Sequence, residues 1–193
     1  MSKTLLFDGT LIDFDNLEST IANLDIECCI QSMSKVCRFN GNTRFFYSNL
    51  QHCINVSNIC PTELKLAGLL HDIHEAIIGD IVTPVANHLG PEWKGQLTQL
   101  KNDLDSILAD KWNCPELVIC KPEIKVFDDL MCDVEAHQLI CNSELLFTPP
   151  RDDLRSYPIY KLRKRIVRKY FRQIYKELKA ANWKRFLSSL DLD

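Results

Sequence analysis

The chain has 193 residues, enough for one domain with a full-sized core. Hydrophobic residues make up 46% and charged residues 25%, a globular balance, and a net charge of -3 argues against the overall basic field of a general nucleic-acid binder. No stretch approaches the roughly 20 apolar residues of a membrane span, and nine cysteines without a C-x-x-C pair do not make a complete disulfide framework.

Most cysteines fall at apolar helical positions, where a free thiol behaves as a small hydrophobe. The expected setting is therefore reducing and cytoplasmic (that of the host cell if the chain is phage-encoded). Met1-Ser2-Lys3-Thr4 opens without a signal-peptide h-region.

The spacing of apolar and turn residues predicts an all-α chain with a small N-terminal β-hairpin. Residues 4–14 read as the hairpin, two short apolar runs about the turn Asp8-Gly9. Asp25 can cap a helix to about residue 36, with Ile26, Cys29, Ile30 and Met33 on one face. Residues 38–43 form a loop containing Asn40-Gly41. Ser48 caps a helix to about residue 59 that carries His52. Pro61-Thr62 opens a third, with Leu64, Ala67, Leu70 and His71 at helical spacing, ending near Gly79. Thr83-Pro84 and Gly90-Pro91 punctuate the chain. Residues 92–112 read as an exposed amphipathic helix. Residues 122–142 read as another, with Ile124, Phe127, Leu130, Met131 and Val134 inward and Asp128 beside that face. A Pro-rich loop over 148–158 precedes a last, basic helix over about 161–185. No linker or repeat divides residues 1–193, so one domain is expected, with its core over about 25–142.

Leu69-Leu70-His71-Asp72-Ile73-His74-Glu75 would bury an adjacent imidazole and carboxylate, which is costly unless something holds both. With His52 and Asp128, each near an apolar face of a separate predicted helix, the pair makes a four-ligand metal site. A buried hydrogen-bonded network is the other use of such residues. Two imidazoles and two carboxylates suit Mn²⁺, Fe²⁺, Co²⁺, Ni²⁺ or Zn²⁺ better than Mg²⁺ or Ca²⁺. Four protein ligands leave a coordination position open for water or a phosphoryl oxygen. Of the other histidines, His74, His88 and His137, only His88 is placed on a loop between the outer ligands, so one ion is expected.

Glu75, three residues after Asp72, shares its face and can act as general base or acid, and Asp72 and Glu75 are the expected catalytic pair that orients or deprotonates the water. Asp80 can bond a substrate sugar or cap the following turn. Arg38 and Arg44 precede the His52 helix, and an arginine fork matches phosphate oxygens. Phe39 can pack on a nucleoside or enter the core.

At these residues the chain resembles the HD-domain phosphohydrolases, in the compact bacterial and phage branch of 5'-deoxynucleotidases and dATP triphosphohydrolases. The segments that carry the resemblance are Cys37-Arg38-Phe39-Asn40-Gly41-Asn42-Thr43, Phe46-Tyr47-Ser48-Asn49-Leu50-Gln51-His52, Ala67 to Ala76, Gly79-Asp80-Ile81 with Thr83-Pro84-Val85, and Phe127-Asp128 with Glu135-Ala136. They span roughly residues 4–142, and the Phe7-Asp8-Gly9-Thr10 hairpin resembles that branch too.

The resemblance implies an HD helical bundle with His52, His71, Asp72 and Asp128 as metal ligands. It implies Glu75 and Asp80 as catalytic or substrate-positioning acids, Arg38 as phosphate clamp and Phe39 near the deoxyribose, where a flat residue favours a sugar without a 2'-hydroxyl. Asn42 stands where the branch commonly has histidine. Ala86 stands where a lysine often follows Thr-Pro, and Lys94 or Lys101 could replace that lysine. The expected substrate is a deoxynucleotide, hydrolysed to deoxynucleoside and triphosphate from a dNTP. The alternative is a 5'-deoxynucleotidase releasing phosphate. Members of this kind often assemble, so a homo-oligomer is compatible with the reading.

Phe7-Asp8-Gly9-Thr10-Leu11 is a decoy for a haloacid-dehalogenase start, since Leu6 stands where that chemistry needs an aspartate nucleophile. The basic last helix, from Lys161 to Arg185, has Leu162, Ile166, Tyr170, Ile174 and Leu178 at four-residue spacing and reads as a helix closing the bundle. Its non-enzymatic alternative is a nucleic-acid-binding module with a structural metal, which salt-dependent binding without turnover would favour.

Overall fold

A computed structural model describes the backbone of residues 2–189, with side chains to residue 182. Lys184 and Arg185 of the basic run have side chains outside the described residues. The chain is mainly helical with one antiparallel hairpin, β1 (Lys3–Leu5) and β2 (Leu11–Asp13), in the register Lys3↔Asp13, Thr4↔Ile12, Leu5↔Leu11. Gly9 takes φ +88° and Asp8 Oδ1 accepts from Thr10 N at 2.9 Å, so Asp8 is a turn residue.

The helices are α1 (Leu17–Ile21), α2 (Ile26–Met33), α3 (Asn49–Ile59), α4 (Lys65–Leu70), α5 (Glu75–Ile78), α6 (Thr83–His88), α7 (Pro91–Lys111), α8 (Glu116–Ile119), α9 (Lys121–Leu139) and α10 (Lys164–Ser189). Asp25 caps α2 at Glu27 N and Ser48 caps α3 at Gln51 N, as their side chains predict. From Asn49 to Ser57 every residue of α3 is buried, so it forms the axis of the bundle. α4 lies along α3 at the close approach that Gly68 permits. A methyl group on Gly68 would stand 2.7 Å from Cys60 Sγ. α10 seals the bundle by burying Val167 and Phe171 and by pairing Arg172 with Glu27.

Several expectations are corrected. The single helix expected to Gly79 breaks after Leu70. Ile73 N, Glu75 N and Ala76 N bond the carbonyls three residues back, at 2.9, 2.9 and 3.1 Å. That tight turn brings residues at i and i+3 into register, which stacks Glu75 over Asp72. Thr83-Pro84 starts helix α6 rather than a loop, because proline in a first helical turn forfeits no bond. His88 is therefore helical, and it is exposed. The C-terminal half of α7, expected to be exposed, buries Leu104, Asp105 and Leu108. α1 and α8 had too few periodic residues to be read. Among the described residues, no helix is long and apolar enough to cross a membrane.

Candidate metal centre

Three elements converge on one point. His52 sits on the second turn of α3, fully buried. Its Nδ1 lies 2.9 and 3.0 Å from the two oxygens of Glu135, which is itself fully buried on α9. A carboxylate only accepts, so Nδ1 carries hydrogen and Nε2 faces the site. His71, at the end of α4, donates Nδ1–H to its own turn at Gly68 O, 2.9 Å, which also leaves Nε2 facing inward.

Around these nitrogens, His52 Nε2 is 2.9 Å from Asp128 Oδ1 and 3.9 Å from Asp72 Oδ2. His71 Nε2 is 3.2 Å from Asp72 Oδ2 and 3.8 Å from Asp128 Oδ1. Donors about 2.0–2.2 Å from a common ion stand about 3.0–3.5 Å apart at neighbouring vertices. His52, His71 and Asp128 therefore form a group that could hold a metal ion, with Asp72 Oδ2 beside both imidazoles. His71 Nε2 is also buried without a hydrogen-bond partner, which a ligand nitrogen would be before an ion arrives.

His52 and Asp128 are supported on their far sides. Tyr47 Oη donates to Glu135 at 2.6 Å and accepts from Asn55 Nδ2 at 2.6 Å. Lys125 Nζ donates to Asp128 Oδ2 at 2.8 Å, leaving Oδ1 for the site. Such partners fix the orientation of a ligand as firmly as its own helix does.

Charge in the site is uneven. Burial opposes a proton on His52 and so does Arg38, but the Glu135 and Asp128 carboxylates outweigh them and raise its pKa. Burial likewise opposes one on His71, where Asp72 prevails and lifts it well above the ordinary value. Burial works against charge on Asp72 and Asp128, but the imidazoles hold both below the usual carboxylate range. A divalent ion must displace the imidazole protons, so its affinity falls as pH drops through the raised histidine values. Without the ion these protons stabilise the fold below histidine's ordinary 6.5, and that stability is lost as pH rises through the raised values. Calorimetric titration with Mn²⁺ in buffers of different ionisation enthalpy should show proton release on binding. Binding without release at any pH would contradict the ligand set.

Arg38 enters from a turn in which Phe39 and Asn40 take φ of 53° and 52°. Holding two non-glycine residues left-handed costs about 1–3 kcal/mol each, and the turn aims the guanidinium inward. Nη1 lies 3.7 Å from Asp72 and Nε 3.8 Å from Glu135, and Nε has no hydrogen-bond partner. Phe39 stands edge-on to Phe147 at 5.9 Å. Glu75 is buried, bonded by Asn49 Nδ2, with Lys101 Nζ 3.6 Å from its other oxygen. Burial, then Asp72 and Asp80, push the Glu75 pKa well above the usual range. Burial also raises that of Asp80.

The centre opens into a cavity of about 560 Å³ whose lining includes Arg38, Phe39, Asp72, Glu75, Asp80, Lys101, Lys121, Lys125 and Phe147. That volume suits a nucleotide-sized molecule. Of the expected residues, His52, His71, Asp72 and Asp128 are brought together, with Arg38, Phe39, Glu75 and Asp80 beside them. Arg44 is not: it is exposed, away from the cavity lining, and its backbone N–H bonds Leu139 O. Lys101 reaches the site, whereas Lys94 bonds Asn87.

Sequence reasoning assigned no role to Glu135, Tyr47, Asn49, Asp105, Lys121, Lys125 or Phe147. Glu135 carried a usable signal, since it lies two helical turns after Asp128 on the same face of α9.

No protein-family model matches the chain. Curated proteins similar to it include uncharacterized protein YfdR of Escherichia coli K12, 28% identical over 139 residues, which are 72% of this chain and 73% of that protein. Uncharacterized protein RCAP_rcc00048 of Rhodobacter capsulatus is 29% identical over 141 residues, 67% of this chain and 70% of that protein.

Proposed function

We propose that the chain is an HD-type, metal-dependent phosphohydrolase of deoxynucleotides, cleaving a dNTP to deoxynucleoside and triphosphate. The observation that carries this reading is the set His52, His71, Asp72 and Asp128, with imidazole-to-carboxylate distances of 2.9–3.9 Å, beside a cavity that His71, Asp72 and Asp128 line together with Arg38 and three lysines. A structural ion would be enclosed by its ligands, whereas this set faces open space.

His52, His71, Asp72 and Asp128 would hold the ion, which would supply polarisation of a phosphoryl oxygen and activation of water. Arg38, buried and fully charged, is placed to neutralise charge that develops on the phosphate. Glu75, made more basic by its burial beside two acids, is placed to accept the proton of the attacking water. The new P–O bond forms as the bond to the 5'-oxygen breaks, and the proton held on Glu75 passes to that leaving oxygen. Asp80, half-buried at the cavity edge, is placed to accept a hydrogen bond from the sugar. Phe39 and Phe147 provide an apolar corner for nucleoside. Lys101, Lys121 and Lys125, paired here with Glu75, Asp105 and Asp128, are the lining cations that a polyphosphate would engage once a bound ion offsets those carboxylates.

The test is a screen of deoxynucleoside mono- and triphosphates with Mn²⁺ or Co²⁺, analysed by product. Release of triphosphate is expected, abolished by a chelator and restored by excess ion. Release of phosphate from monophosphates alone would shift the reading to a 5'-deoxynucleotidase. Turnover that resists the chelator would sink the mechanism.

A further inference from the structure

Residues 161–179 carry nine Lys and Arg against a single acid, Glu177, although the whole chain has a net charge of -3. Only some of these cations serve the fold. Arg168 donates to Gln31, Arg172 to Glu27 and Lys179 to Trp112 O. Lys161, Arg163, Arg165, Lys169 and Lys176 are exposed, and their side chains have no acidic partner among the described residues. Arg165, Lys169 and Lys176 follow one another at four and seven residues, so they stand in one row roughly 16 Å long. The charges do not help the helix that carries them. The first turn of α10 holds Lys164 and Arg165 and no acid, which opposes the helix dipole.

A second segment joins this surface. Lys164 Nζ lies 4.3 Å from the centre of the Phe46 ring. Gln51 of α3 donates Nε2–H to Tyr160 O at 2.8 Å, which pins the approach to α10. Phe46, Tyr160 and Tyr170 are 40%, 60% and 51% exposed, so three rings stand open beside unpaired cations. Arg44, exposed two residues before Phe46, adds a guanidinium that has no role in the cavity.

We propose that the outer face of α10, with Arg44, Phe46 and Tyr160, binds single-stranded nucleic acid. The cations meet backbone phosphates, and the rings offer stacking platforms for unpaired bases. A duplex would use the row of charges but not the rings. A helix lying in an anionic membrane buries its apolar face in lipid, whereas α10 gives Val167 and Phe171 to the core. No residue of α10 lines the cavity, so the inference does not rest on the proposed function.

The full-length protein, with a chelator present, is titrated into a fluorescent oligodeoxythymidine and followed by anisotropy across a salt series. A duplex of the same length and phosphatidylserine vesicles are the comparison arms. Binding to the single strand should weaken as salt rises. The combined variant Arg165→Gln, Lys169→Gln, Lys176→Gln should lower the log–log salt slope by about 2, since each phosphate contact on a single strand contributes about 0.7. Tyr160→Ala with Tyr170→Ala should weaken binding by about 5-fold or more with the slope unchanged. Both variants should melt within a few degrees of wild type, because every substituted side chain is exposed. Absence of binding at low salt, or binding that the charge variant leaves undiminished, overturns the inference. Duplex binding as tight as that of the single strand, insensitive to the tyrosine variant, overturns it in favour of charge alone. Vesicle binding without oligonucleotide binding overturns it in favour of a membrane surface.

Discussion

Replacing Asp72 by alanine should abolish hydrolysis, with kcat lowered by at least about 10³-fold. Asp72 lies near both imidazoles and the guanidinium: His71 at 3.2 Å, His52 at 3.9 Å and Arg38 at 3.7 Å. Its loss weakens the ion, and an ion contributes several kcal/mol of charge stabilisation to phosphoryl transfer, each 1.36 kcal/mol being tenfold in rate. It also leaves the two imidazoles and the guanidinium with less opposing charge, so metal affinity and activity should fall together. Steady-state kinetics with excess Mn²⁺ separates the contributions: activity that recovers fully at high ion concentration would mean Asp72 only binds metal. Partial recovery at most is expected, because Glu75 also loses the neighbour over which it stacks.

The largest effect on stability is expected at Glu135, a residue that touches no substrate. Its carboxylate is fully buried and is shared by His52 Nδ1, Tyr47 Oη and the Arg38 guanidinium. Glu135→Ala leaves a buried imidazole and a buried hydroxyl without their acceptor and Arg38 without a neighbouring counter-charge. Breaking a buried ionic network by removing one partner costs about 3–5 kcal/mol, which for a chain of this size lowers the melting temperature by about 6–20 °C. Glu135→Gln keeps the volume and one acceptor, so it should lose less stability. It should still weaken ion binding by about 10–100-fold, because an amide no longer fixes the His52 tautomer. Thermal denaturation and metal titration of both variants check this. Equal metal affinity in wild type and Glu135→Gln would show that Glu135 serves packing alone.

What could be read from the sequence follows from the range over which each signal acts. His52, His71, Asp72 and Asp128 were legible because each sits within a strongly periodic helical segment, and a polar group that must be buried stands out against apolar neighbours. The caps Asp25 and Ser48 are local signals, and both helices begin where those residues place them. The break after Leu70 was not legible, since apolar spacing runs unbroken through Leu70, Ile73 and Ile77. The change to tighter hydrogen bonding there depends on where His71 and Asp72 must point. Asp105 looked like one more charge on a solvated helix, and only the packing of α7 against the core puts it behind His74. Arg44 had the right chemistry near the right helix, but its backbone is tied to α9 and its side chain stays outside. Lys125 and Phe147 are members of the cavity only because α9 and the segment after it fold over the centre.

The most direct measurement is the position of the ion itself. A crystal grown with Mn²⁺ or Co²⁺, with anomalous data collected at the metal edge, should show a peak about 2.0–2.2 Å from His52 Nε2, His71 Nε2, Asp72 and Asp128, with at least one further position taken by water. A peak elsewhere, or those four side chains bonded to one another with no ion among them at saturating metal, would contradict the account.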